Sequence, residues 1–249
     1  MTPTMAPKRT IRLARPAGWA LAVFIVGLWN DWVLALWLNP KVSMRYSLIS
    51  ELSARSQPYH WVFQRCDMAA GLVVVVLLPF LARWLRKHLF KYAKRIVLLV
   101  ALVGLGSIID ASMPISCAAS VQGAICAVQA HAPLISDHLL ESTVSVVALL
   151  LASILVWRAA RSRDMLLART SLAMVVLQGV VVLSVLVMLV VHVPWYGIPH
   201  RAYELGIGLW LAVLLCSPLR GHAARTGPSI SAGSTPLLAG KSTPARTLR

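Results

Sequence analysis

Six stretches of this chain are too apolar and too sparsely charged to stay in water: Ala17–Leu38, Trp61–Leu85, Ile96–Ile109, Leu139–Trp157, Thr170–Val191 and Ala202–Ser217. A bilayer-spanning helix needs about 20 consecutive, predominantly apolar residues. Within hydrocarbon every backbone N–H and C=O must find its partner inside the protein, which leaves helices and closed barrels as the viable spanning structures. The runs are continuous rather than alternating, so they predict an all-α polytopic membrane helix bundle of about six transmembrane helices. The third run is short unless it extends to about Met113. Only 13% of residues are charged, against roughly 25% in soluble domains. The first run follows Lys8, Arg9, Arg12 and Arg15 in the manner of a signal peptide. It is longer than an ordinary signal core and no small-residue cleavage site follows it, so it reads as a retained first helix.

A net charge of +16 raises the question of nucleic acid, and the placement of that charge answers it. Lys8, Arg9, Arg12 and Arg15 precede the first run. Arg83, Arg86, Lys87, Lys91, Lys94 and Arg95 lie between the second and third. Arg158, Arg161, Arg163 and Arg169 lie between the fourth and fifth, and Arg220, Arg225, Lys241, Arg246 and Arg249 follow the sixth. The opposite side holds only Lys41, Arg45, Arg55, Arg65 and Arg201. Positive residues stay in the cytoplasm, so both termini are expected inside, in a multi-pass protein of the cell (inner or plasma) membrane. The basic charge is a topology signal with affinity for anionic membrane lipids, not a nucleic-acid surface. The expected organisation is a basic cytoplasmic N-terminus over 1–16, a six-helix domain over 17–217, and a tail over 218–249. That tail is rich in Ser, Thr, Pro, Gly and Ala and is expected to be disordered.

Of the eight acidic residues only Asp164 falls on the basic side. Asp31, Asp67, Asp110, Glu141 and Glu204 lie on five different runs, each 15–17 residues from an inner basic residue: Arg15, Arg83, Arg95, Arg158 and Arg220 respectively. At 1.5 Å rise per residue this puts five carboxylates roughly 22–26 Å above the inner boundary, in one layer below the outer interface. Two readings compete. Helix ends are polar, and these residues can snorkel to water. Alternatively they face the bundle interior and line a polar cavity, as intramembrane ionisable residues usually do. Within the fourth run His138, Glu141, Ser142 and Ser145 share one helix face. Arg201 and Glu204 are three apart and predict an ion pair on one face.

The segment between the third and fourth runs holds Cys117 and Cys126 and no Lys or Arg. Facing an oxidising compartment, the two are expected to form a disulfide. Zinc held by Cys117, Cys126, His131 and His138 matches no common spacing, and the sequence assigns no metal and no cofactor. His60, His192 and His200 lie on the same side as His131 and His138; singly, each reads as an interfacial polar residue. Ser142 with His138 and Glu141 has the composition of an activated nucleophile, but no nucleophile-elbow motif accompanies it. In Ser43–Ser56, Met44, Leu48 and Leu52 recur every four residues, which fits either a short interfacial helix over the outer mouth or a surface loop.

The stretch Tyr46–Asp67, YSLISELSARSQPYHWVFQRCD, resembles the opening of the bacterial membrane family called domain of unknown function 998. The resemblance continues through Ile109–Cys117, IDASMPISC, then Cys126 and His138, to Arg201–Trp210, RAYELGIGLW. It implies a six-helix membrane protein. It points to Ser50, Glu51, Asp67, Asp110, Pro114, Cys117, Cys126 and His138 as residues of interest, and implies no reaction. A more distant likeness to membrane hydrolases fails at the terminal histidines: His192 and His200 do not have the spacing of the H-x3-H pair used there.

Three functions fit. The first is an outer-face cavity that binds a lipid head group or small molecule for transport, sensing or an accessory role, with Ser50, Glu51, Asp31, Arg65, Arg201 and Glu204 as binding residues. The second is an outer-leaflet hydrolase or transferase with Asp67, Asp110, His138, Glu141 and Ser142 as catalytic candidates, whose anionic substrate Arg201 or Arg65 would hold. The third is a structural subunit whose polar layer is self-paired. The topology is directly testable: reporter fusions after Arg95 and Arg169 are expected to read cytoplasmic, and fusions within 118–129 external. A cytoplasmic readout for the last overturns the orientation.

Overall fold

The computed structural model describes residues 9–122, 134–191 and 195–219, and all regular structure among them is helical. The long helices are α1 (Arg9–Trp29), α2 (His60–His88), α3 (Ala93–Ser112), α4 (Leu134–Ala160), α5 (Met165–Val191) and α6 (Gly197–Leu215). Five of them are long and apolar enough to cross a membrane, and α1 supplies a sixth if it is taken with the segment after it. The chain is a multi-pass helical membrane protein. Of the tail expected over 218–249 only Pro218 and Leu219 are among the described residues, and Cys126 and His131 also fall outside them.

Each helix packs against its neighbours in sequence, and α6 closes the ring on α1 while also touching α2. The common core is apolar, with Ile25, Leu81, Ile96, Leu149, Leu167, Trp210 and Leu214 almost completely withdrawn from the surface. The outer face of α5, including Val176, Val180, Leu183 and Val190, is exposed and suited to lipid. Lipid tails are as apolar as leucine, so helix association in a bilayer relies on close packing and hydrogen bonds. Both occur here. Gly71 of α2 and Gly104 of α3 meet backbone to backbone; a Cβ on Gly71 would stand 2.4 Å from the Gly104 carbonyl oxygen. Gln178 of α5 donates to the Val146 carbonyl of α4 at 2.7 Å and to the Tyr203 hydroxyl of α6 at 3.3 Å. Trp210 of α6 donates to Ser171 of α5 at 2.9 Å.

The first apolar run is not one continuous helix, contrary to the sequence expectation. It breaks at Asn30, and the following Asp31–Leu38 segment turns away from α1 by 63°. A polar side chain satisfies what the break releases: Asn30 donates to the Val26 carbonyl at 2.9 Å and accepts from the Trp32 indole at 3.0 Å. Gly208 of α6 leaves room for this, since a Cβ there would meet the Asn30 amide at 2.8 Å and Trp29 at 3.0 Å. The third run, by contrast, is a full 20-residue helix.

The segment from Asn39 to Tyr59 folds back over the acidic end of the ring as a cap. It is not the interfacial helix that Met44, Leu48 and Leu52 suggested: Leu52 is fully buried while Leu48 is exposed, and the regular structure is a single 3-10 turn, Ile49–Glu51. The cap is bonded from several sides. Gly197 donates to the Arg45 carbonyl at 3.1 Å, and Arg55 donates to the Ile115 carbonyl at 3.0 Å. At the basic end, Arg163 donates to the His88 carbonyl, and Asp164 caps α5 by accepting from the Leu167 amide at 3.0 Å. That capping role explains the lone acid on this side.

The close helix crossing predicts a contrast between two glycines. Gly71→Ala forces α2 and α3 apart and is expected to cost about 1–3 kcal/mol. Gly179→Ala, where a Cβ would meet nothing within 4 Å, is expected to be neutral or stabilising by about 0.5–1 kcal/mol. Thermal unfolding of both variants in one detergent checks this; equal effects contradict it.

Candidate functional site

Between the cap and the helix ends lies a cavity of about 190 Å³. Among the described residues four carboxylates line it, from four different segments: Asp31 from the helix break, Asp67 from α2, Asp110 from α3 and Glu204 from α6. They lie within electrostatic reach of one another: Asp31 of Glu204, Asp67 of Asp31 and Asp110, and Glu204 of Asp67 and Asp110. The kink at Asn30 is what turns Asp31 inward; it is only 5% exposed and, among the described residues, its Oδ2 has no hydrogen-bond partner. Trp29 at the end of α1 lines the cavity beside the acids.

The rest of the lining follows helix periodicity. α6 contributes His200, Tyr203, Glu204 and Ile207, and α4 contributes Ser142, Ser145, Val146 and Leu149; each set has the spacing i, i+3, i+4, i+7. α3 adds Val103, Ser107 and Asp110, while Ile49 and Ser50 of the cap close the top. The Ser107 hydroxyl donates to the Asp67 carbonyl at 2.8 Å and ties α3 to α2 beside the two acids. His200 bridges cap and cavity. Its Nδ1 accepts from the Ile49 amide at 3.3 Å, which places the proton of a neutral ring on Nε2, 3.7 Å from Glu204.

Several sequence candidates sit elsewhere. Glu51 is buried within the cap, where it accepts from the Ser120 amide at 3.1 Å and from the Ser120 hydroxyl; it holds two loops together and does not line the cavity. Arg65 is exposed and stacks over Trp61 at 5.0 Å. Arg201 does not pair with Glu204 as expected. Its guanidinium is drawn into the cap and donates to the carbonyls of Met44 at 3.0 Å, Ser47 at 2.9 Å and Gly197 at 3.1 Å. The carbonyls win because the cap backbone, which has no ladder or helix of its own, supplies several acceptors at one point.

His138 and Glu141 lie on α4, but their side chains fall outside the described residues. Cys117 is buried, and the free cysteines among the described residues are Cys66 and Cys216. Among the described residues no group of three or more His, Cys, Asp or Glu side chains is arranged to hold a metal ion. The reading from sequence missed Ser107, Trp29 and Tyr203. A signal for two of them was present: Ser107 lies three residues before Asp110, and Tyr203 adjoins Glu204 on the face that also carries Ile207.

No curated protein and no solved structure matches the chain. One family model does match, over residues 16–217, from within α1 to just past the end of α6 and so across the ring and the cavity. The chain therefore belongs to the family described as Protein of unknown function (DUF998).

Proposed function

We propose that the cavity at the acidic end is a binding site for a lipid head group or small molecule, serving transport, sensing or an accessory role. The supporting observation is that, among the described residues, four carboxylates from four segments border one cavity whose lining holds no Lys or Arg. A self-paired structural layer would set cations among them. Here Arg201 of α6 lies in the cap with its Nη1 on three backbone carbonyls, and His200 is the described ring that faces Glu204. Gathering like charges in a poorly solvated place destabilises the fold, and sites that tolerate such strain are commonly functional.

Depth favours a one-sided site over a channel. Below the acids the interior is filled by Ile25, Val74, Leu149 and Trp210, each 1% exposed or less. The hydrolase reading finds less support. It drew on His138 and Glu141, whose side chains lie outside the described residues, and His200, which lines the cavity, has its Nδ1 engaged by the cap. The buried Cys117 is proposed to pair with Cys126 and to tie down the loop after α3. Both thiols should then resist alkylation in unreduced membranes and react after reduction; free reactivity at both positions contradicts the pairing.

Neutralising one acid tests the site reading. Asp67→Asn keeps the shape of the side chain and removes one repulsive charge. The expected result is unchanged abundance and a melting temperature equal to or about 2–4 °C above that of the unaltered protein, the size of a gain near 1 kcal/mol in a chain of this length. Loss of several degrees would show a self-paired structural network instead.

A further inference from the structure

We propose that the ligand of this cavity is a small organic cation carrying an amine or quaternary ammonium group, an inference that rests on the binding-site reading above and adds the sign and size of what binds. The lining carries four carboxyl groups and, among the described residues, no Lys or Arg. The two arginines that would receive an anion are elsewhere, Arg65 over Trp61 and Arg201 inside the cap. An anionic head group entering here would meet four acids in a medium that screens poorly.

Asp31 supplies an independent pointer. It is 95% withdrawn from the surface by the helix break, it borders the cavity, and among the described residues its Oδ2 has no donor. A buried acceptor of this kind is rare and calls for a partner; an ammonium group supplies both donor and charge. Two aromatic residues complete the match. Trp29 and Tyr203 line the same space, and aromatic faces attract ammonium groups, most strongly when desolvated. The apolar half of the wall, with Ile49, Val103 and Leu149, suits alkyl carbons, which favours an organic cation over a bare metal ion wanting oxygen on all sides. Size limits the choice. At about 190 Å³, the cavity is smaller than the roughly 300–1,000 Å³ of sites for drug-sized ligands. It takes a head group or a free amine and excludes a whole lipid.

The test uses the full-length protein in nanodiscs of phosphatidylglycerol, with binding read by thermal shift and by titration calorimetry. The probes are choline, ethanolamine, glycerol phosphate, calcium ion and 3,3-dimethylbutanol, the uncharged carbon counterpart of choline. Choline or ethanolamine is expected to bind saturably, while the uncharged counterpart, glycerol phosphate and calcium do not. Asp31→Asn and Glu204→Gln, each first shown to melt cooperatively, are expected to weaken binding by about tenfold, the loss expected for one charge-assisted contact.

Binding of the uncharged alcohol, glycerol phosphate or calcium in place of the amines overturns the cation proposal and leaves the binding-site reading standing. No binding by any probe overturns both. Amine binding unchanged in both variants overturns the assignment to this cavity. Repeating the ethanolamine titration in nanodiscs containing phosphatidylethanolamine identifies the source. Apparent affinity that falls through competition marks a lipid head group, and unchanged affinity marks a free amine; both support the proposal.

Discussion

Hydrocarbon offers no hydrogen-bond partner, and most of this architecture follows from that. A helix satisfies its own backbone, so the apolar runs become helices and the ring closes through side chains small enough to let backbones touch, as at Gly71 and Gly104. Where the helical ladder is interrupted, a side chain has to replace it. Asn30 does so at the end of α1, accepting from one neighbour and donating to another. The same break brings Asp31 into the interior. A local backbone irregularity thus shapes the carboxylate-lined cavity, which is where non-helical backbone is expected inside a membrane protein.

The cap depends on α6 in a similar way. Its backbone lacks a repeating structure, and one buried guanidinium collects three carbonyls, two from the cap and one from the start of α6. His200, one position earlier, holds the Ile49 amide and faces Glu204. The helix that closes the ring therefore also holds the lid of the cavity and presents one of its acids. Any movement of the cap is coupled to the carboxyl cluster through these two adjacent residues.

Much of the helical architecture was legible in the sequence because hydrophobic length acts over whole segments and tolerates errors of a few residues. The common depth of Asp31, Asp67, Asp110 and Glu204 was readable for the same reason, since helix rise converts residue count into height. What height cannot supply is direction. The expected Arg201–Glu204 pair followed helical spacing correctly, but spacing knows nothing of the cap carbonyls that compete for the guanidinium. The cap itself was read by periodicity, and Leu48 and Leu52 point opposite ways because the chain there makes turns and not a helix. Glu51 illustrates the same limit: its partner, Ser120, is 69 residues away.

The measurement that bears most directly on the cavity is side-chain accessibility from the acidic side. In a Cys66→Ser, Cys216→Ser background that keeps Cys117 and Cys126 and serves as the unlabelled control, one cysteine at a time would be added at Ser50, Ser142 or Val180 and treated in intact cells with a membrane-impermeant maleimide. Ser50→Cys and Ser142→Cys line the cavity and are expected to react, whereas Val180→Cys, on the exposed apolar face of α5, is not. Labelling of Val180→Cys with no labelling at the two cavity positions would contradict a water-accessible carboxylate site at this end of the bundle.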